Sequence, residues 1–128
     1  MNTKKNSNKH LNKVKGFLSE QVAIEYLKDN GYTILDTNWQ CNFGEIDIVA
    51  QKDNYQVVVE VKGRKSCCYG TGLDSINYSK QKKISNTTFE YLKSKNDVDA
   101  NVRFDAIQVD RYNQVLHVEN AFYSTLRY

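Results

Sequence analysis

The chain has no stretch of apolar residues near the roughly 20 needed to span a bilayer, so a membrane-embedded helical protein is excluded. Its start, Met1 to Asn12, is polar and lacks the hydrophobic region of a secretory signal, which leads to the expectation of a cytoplasmic protein. Cysteine is sparse. Cys41, Cys67 and Cys68 are odd in number and show no C-x-x-C spacing, so neither a disulfide framework nor a zinc site is indicated and reduced thiols are expected. No G-x-x-x-x-G-K-[ST] segment is present, and Gly70-Thr71-Gly72 reads as a plain loop, which removes a phosphate-cradling nucleotide hydrolase. The two histidines, His10 and His117, are isolated and read as ordinary surface or strand residues. Proline is absent altogether, but with so much Lys, Asn and Tyr this is as readily a matter of genome base composition as of structure.

What is present fits one small domain. A chain of 128 residues with 40% hydrophobic and 26% charged content can bury a single core and leaves no room for a second. The formal charge of +3 is unevenly placed: residues 1–19 hold five Lys and no acid, leaving 13 basic against 15 acidic residues elsewhere. The division expected is a flexible basic tail over 1–12, able to add nonspecific attraction to phosphate, and one domain over 13–128. Hydrophobic patterning predicts a helix over 11–29, stopped by Asn30-Gly31, then strands over 32–38, 44–51 and 55–62, a helix over 75–95, and strands over 103–110 and 114–119. The class is α/β.

Two of those strands are unusual. Gly44 to Ala50 and Val57 to Lys62 carry carboxylates within runs of β-branched residues, where an unpaired acid costs several kcal/mol. Alternation along each strand puts Glu45, Asp47 and Val49 on one face against Ile46, Ile48 and Ala50, and puts Val58, Glu60 and Lys62 opposite Val57, Val59 and Val61. A tight turn around Asp53-Asn54 would bring Asp47 near Glu60. An Asp followed about a dozen residues later by Glu-x-Lys suits a metal-dependent nuclease. Two carboxylates suit a hard oxygen-seeking cation against a phosphodiester, and the Lys suits an attacking water or a charged phosphorane. A half-exposed sheet edge with a salt bridge explains the same three residues. In the first helix Gly16, Glu20, Ala23 and Leu27 form one inward stripe, which turns Glu20 to the sheet; a solvated Glu at the stripe's margin is the alternative.

With these residues in view, the chain resembles the YraN-type family of predicted bacterial endonucleases, relatives in fold of archaeal Holliday-junction resolvases. The resemblance runs from about Lys15 to Asp110. It is carried by Lys15-Gly16, Glu20, Ala23, Tyr26-Leu27, Gly31 to Leu35, Gly44 to Ala50, Val59 to Arg64, Lys80 to Ile84 and Arg103-Phe104-Asp105. It implies a restriction-endonuclease-like core, a mixed central sheet flanked by helices, with Glu20, Asp47 and Glu60 as metal ligands and Lys62 completing the catalytic set. Two departures stand out: Ser19 where the family usually has Gly, and Gly63 where it usually has Thr. Neither removes a ligand.

Arg64, Lys65, Lys80, Lys82 and Lys83 cluster after the Glu-x-Lys strand and are expected to line a nucleic-acid groove, with Tyr69 and Tyr78 beside them. Asp105 is expected to pair structurally with Arg103 or Lys62. The aromatic stretch Ala121 to Tyr128 is expected to cover a sheet edge or a homodimer partner. The leading expectation is an endonuclease using Mg²⁺, or Mn²⁺ in its place, on DNA of branched or irregular form, because so small a chain carries no separate sequence-reading module. A nucleic-acid-binding protein of the same fold that does not cut is the alternative. A partner-binding module with sheet-edge acids is the third.

Overall fold

In the computed structural model, which describes residues 3–63 and 76–124 with side chains from residue 16 on, seven elements follow the expected order. They are α1 (Thr3–Asp29), β1 (Thr33–Cys41), β2 (Gly44–Lys52), β3 (Tyr55–Gly63), α2 (Tyr78–Ser94), β4 (Val102–Val109) and β5 (Val115–Phe122). The strands form one sheet in the order β1-β2-β3-β4-β5. The β3–β4 pair is parallel and the other three are antiparallel. A parallel pair needs a crossover, and α2 provides it. The result is an α/β fold with a mixed sheet and two helices, consistent with a restriction-endonuclease-like core.

Each helix covers one face. Ala23, Ile24 and Leu27 of α1 pack with Ile48, Ala50, Val57, Val59, Ile107 and Val109. Ile84, Tyr91 and Leu92 of α2 pack on the other side with Ile46, Val49, Val58, Phe104 and Ala106. Strands covered on both faces read as near-continuous apolar runs rather than clean alternation, which is why Val57-Val58-Val59 is buried throughout. The β2–β3 connection is the two-residue turn expected, with Lys52 paired to Tyr55 and Asp53 in the left-handed region at φ 53°.

Both helix boundaries differ from expectation. α1 begins at Thr3 rather than 11, since no Gly or Pro breaks the segment before Gly16, and it takes in most of the stretch read as a tail. α2 begins at Tyr78 rather than 75, because the Asn77 side chain accepts the Lys80 amide at 2.9 Å and caps it. Gly16, placed in the inward stripe by its spacing, is exposed with open space around it; the stripe turns inward only from Glu20.

Alternation in β2 also breaks. Ile46 belongs to the α2 side and Ile48 to the α1 side, so these two residues do not share a face as strict period-two spacing requires. The matching break in β1 is Asn38, at φ 52°, between the pairs Thr37–Ile48 and Trp39–Ile46. Asn38 therefore stands opposite Asp47. Asn tolerates the left-handed conformation better than most residues, and both strands swivel at this one step.

Asp105 is fully buried in β4, and its partners are complete. Arg103 donates to both oxygens at 2.8 Å, His117 Nε2 lies 2.7 Å from Oδ2, and the Asn120 amide donates at 3.1 Å. Tyr32 and Tyr26 extend the network through Arg103 and His117. The expected pairing with Arg103 is present, and His117, isolated in sequence, is held in the same network. Burial raises the Asp105 carboxyl, but the His117 and Arg103 hydrogen bonds and the Asn120 amide outweigh it and hold the group below its usual value. An acid so depressed contributes its full stability above its unfolded value of about 3.9 and loses it as pH falls through the lower folded value. Asp105→Ala should therefore destabilise the chain at pH 7 by about 3–5 kcal/mol in urea unfolding, because it strands a buried guanidinium. The gap should narrow on acidification below pH 4, and a loss under 1 kcal/mol at pH 7 would show that the network is dispensable.

Candidate active site

The ladder between β2 and β3 runs from Lys52–Tyr55 to Ile48–Val59 and ends there, while β3 continues beside β4 as far as Gly63–Val109. Where β2 leaves, the Val61 amide has lost its strand partner. Asp47 Oδ2 accepts it at 2.8 Å. A side chain thus replaces a backbone carbonyl and fixes Asp47 in the opening between the strands.

Charge gathers in that opening. Burial, the Glu60 charge and, less strongly, Glu20 and Glu45 push the Asp47 carboxyl up to about 7, against the pull of the Val61 amide. Glu20, from α1, is raised by burial and by Glu45, with a hydrogen bond from Asn38 opposing. Its Oε1 is buried and has no hydrogen-bond partner among the described residues. Glu60 lies on the α2 side, where Lys80 Nζ contacts its Oε1 at 2.8 Å and Lys62 Nζ stands 3.7 Å from the same oxygen. Burial and the neighbouring Lys80 ammonium lower the Lys62 pKa, against the acids beside it. For Lys80 burial also works against the charge, but the hydrogen bond to Glu60 prevails and raises it.

The structure thus brings together Glu20, Asp47, Glu60 and Lys62 from α1, β2 and β3. It adds two groups that spacing along the chain did not assign to the site. Glu45 interacts with both Asp47 and Glu20. Lys80, expected to line the groove, pairs with Glu60 instead; its place at the third position of a capped helix was the available signal. Lys82 and Lys83 are exposed on α2. Arg64, Lys65, Cys67, Cys68, Tyr69 and the Gly70-Thr71-Gly72 loop lie outside the described residues. Among the described residues no group of three or more His, Cys, Asp and Glu side chains is placed to hold a metal ion by itself. No described helix is long and apolar enough to cross a membrane.

Two close approaches set the walls. A Cβ on Gly44, whose φ is 152°, would come within 2.9 Å of Lys83 Cε and 3.0 Å of Thr87 Oγ1, so glycine lets α2 settle on the start of β2. A Cβ on Gly63 would lie 2.7 Å from Ser19 Oγ. The two departures from the family pattern therefore face each other: bulk absent at residue 63 is supplied at residue 19. A cavity of about 420 Å³ between α2 and the β4–β5 pair holds none of these groups and is lined by Phe89, Leu92, Phe104 and Phe122 among others.

Residues 19–109 match the model of a family described as uncharacterised protein family UPF0102. A UPF0102 protein of Alkaliphilus oremlandii is 43% identical over 117 residues, covering 88% of this chain and 100% of its own. One from Clostridium acetobutylicum is 43% identical over 118 residues, covering 88% and 96%. One from a Sulfurihydrogenibium species is 41% identical over 108 residues, covering 84% and 93%. The matched segment contains every acid and lysine of the cluster.

Crowded carboxylates make a pH prediction. A raised acid binds its proton more tightly folded than unfolded, so ionised Asp47 weakens the metal-free fold above about pH 7, and stability is regained as pH falls towards the unfolded value of about 3.9. Asp47→Asn keeps an acceptor for the Val61 amide and removes the charge. In thermal or urea unfolding without divalent ions it should be more stable than wild type at pH 8, on the order of 1–2 kcal/mol after solvent screening, and should lose that advantage as pH falls to about 4. A less stable Asp47→Asn at pH 8 would mean that the ionised acid is already well compensated.

Proposed function

The chain belongs to the UPF0102 family, and we propose that it is a Mg²⁺-dependent endonuclease hydrolysing phosphodiester bonds of DNA. The observation that carries this reading is the set of under-compensated acids at the opening between β2 and β3, with two lysines alongside. Evolved cores pair their buried acids, as Asp105 is paired; a core that holds Asp47 near 7 and leaves Glu20 Oε1 without a partner among the described residues fits a site completed by a cation. Its donors are all carboxylate oxygens, which suit Mg²⁺ rather than softer ions. One or two carboxylates suffice for Mg²⁺, which keeps waters and takes the rest of its shell from phosphate, so a preformed three-ligand cage is unnecessary.

Asp47 and Glu60 would hold the ion, with Glu20 reaching it directly or through water; Mn²⁺ would serve in its place. When bound, the ion supplies Lewis acidity to the phosphate and a water of lowered pKa. Asp47 is oriented for this by the Val61 amide, which occupies one of its oxygens. Lys62 stands beside Glu60 and would direct its ammonium at the attacking water and the charge that develops on phosphate. Its lowered pKa makes proton exchange with that water easier than for an exposed lysine. Lys82 and Lys83, exposed on the helix that overlies Gly44, would contact backbone phosphates on either side of the cut. Contacts of this kind follow the shape of the backbone rather than the base sequence, which favours substrates recognised by shape, such as branched DNA.

A binder that no longer cuts is the second reading, favoured by the Lys80–Glu60 ion pair, which leaves a would-be ligand already neutralised. Incubation with duplex, single-stranded, flap and four-way-junction DNA in Mg²⁺ or Mn²⁺ separates the two. Cleavage should appear in the wild type and vanish in Asp47→Asn. Lys62→Ala should lower turnover by about 10²-fold or more while leaving metal affinity nearly unchanged, as expected for a group serving the reacting atoms. No cleavage of any substrate, with DNA still bound, selects the binder.

Phosphate contacts release counterions, so affinity for duplex DNA should fall with salt at a log–log slope of about −0.9 per contact. Replacing Lys82 and Lys83 together should flatten that slope by up to two such increments, equally for different sequences, because phosphate contacts position a duplex without reading bases. An unchanged slope in filter-binding titrations would move the groove away from α2.

A further inference from the structure

Glu60 is served by two ammonium groups at once, and they differ in how they are held. Lys62 lies on β3, the central strand of the sheet, 3.7 Å from Glu60 Oε1. Lys80 makes the shorter contact to the same oxygen, 2.8 Å, from the first turn of α2. Its backbone is pinned: the Lys80 amide donates to Asn77 Oδ1 at 2.9 Å, and Gln81 Nε2 donates to the Ile76 carbonyl at 3.0 Å. Its side chain is not, being about a third exposed (31%) on a stem of four methylenes. The ammonium can therefore leave Glu60 without disturbing the helix. Both lysines repel any further cation at Glu60, and Lys80 already occupies one of its two oxygens.

We propose that Lys80 is a built-in competitor for the metal, holding Glu60 while the cation is absent and turning to the substrate phosphate once the cation displaces it. Resting on the metal-site reading above, this adds an order of events: cation and phosphodiester load together, because the group expelled by one becomes a ligand of the other. The first turn of α2 contains no acid to recapture the released ammonium, and its helix N-terminus favours an anion there. Lys62 stays in place for the reacting water. The ion pair also keeps a largely buried carboxylate neutralised in the free protein, whereas among the described residues neither Asp47 nor Glu20 makes an ion pair.

The test is Mg²⁺ binding by the full chain, measured by isothermal titration calorimetry without nucleic acid, for wild type, Lys80→Ala, Lys80→Gln and, as a charge control on the same helix, Lys93→Ala. Removing the competitor should tighten Mg²⁺ binding about tenfold in both Lys80 variants and leave Lys93→Ala unchanged. With a duplex oligonucleotide present in Ca²⁺, which holds the complex without requiring turnover, the wild type should bind the ion more tightly than it does alone. Lys80→Ala should lose most of that gain. A second readout needs no variant: the Lys80 ammonium signal in ¹⁵N-lysine NMR should shift or disappear as Mg²⁺ is added, while that of Lys52, bonded to the Asn30 carbonyl at 2.8 Å, stays constant. Wild-type Mg²⁺ binding that the Lys80 variants match or weaken, with an unmoved Lys80 signal, overturns the competitor role and leaves the metal site standing. No Mg²⁺ binding by wild type or variants overturns the metal site, and this proposal with it.

Discussion

The hydrogen bond from the Val61 amide to Asp47 Oδ2 is the contact on which the site depends. A β-ladder normally satisfies its own amides, and one strand leaving another exposes polar groups that must find partners. Here the partner is an acid, so the bond that closes the sheet's accounts also anchors a carboxylate inside the opening. From that fixed point the other groups take their places. Glu60 lies one residue before the donor on β3, Lys62 one residue after it, and Glu20 arrives from the helix that covers the α1 face.

Asp47 and Asp105 both sit among apolar residues of the sheet, and their opposite treatment separates structure from chemistry. Asp105 is wholly buried yet satisfied by a guanidinium, an imidazole and a backbone amide, which keeps it ionised and makes it a tie between β4 and β5. Asp47 is pushed up to about 7 by burial and then by the charges of Glu60, Glu20 and Glu45, with the Val61 amide opposing. Equal burial would be no guide to this difference; the partners decide it. An acid with complete partners holds a fold together, whereas one short of them is poised to accept a cation or a proton.

The swivel at Asn38 and Asp47 explains how a single strand serves helices on both faces. A regular β2 would present Ile46 and Ile48 to the same side. With the break, Ile46 and Trp39 pack towards α2 while Ile48 packs towards α1, and Asp47 sits at the crossing. Groups from α1 and from α2 can then meet around one opening although the sheet lies between the helices. Gly44 and the Ser19–Gly63 contact serve the same end, since they let the helix over β2 and the helix behind β3 come close to the opening.

The order of elements, the α/β class and the pairing of Asp105 with Arg103 were legible in the sequence, because they rest on local periodicity, turn residues and the high cost of an unpaired buried acid. So were the acids themselves: carboxylates inside β-branched runs stand out without any knowledge of what surrounds them. Period-two spacing failed at Ile46, because a left-handed residue on a neighbouring strand changes the faces of both strands and leaves no mark in the pattern of either. The part of Lys80 was likewise hidden. Along the chain it belongs with Lys82 and Lys83; only the Asn77 cap and the packing of α2 over the start of β2 bring it 2.8 Å from Glu60. Local sequence determines which residues resist ordinary burial, while the partners that answer or fail to answer them come from distant elements and are decided only when the sheet closes.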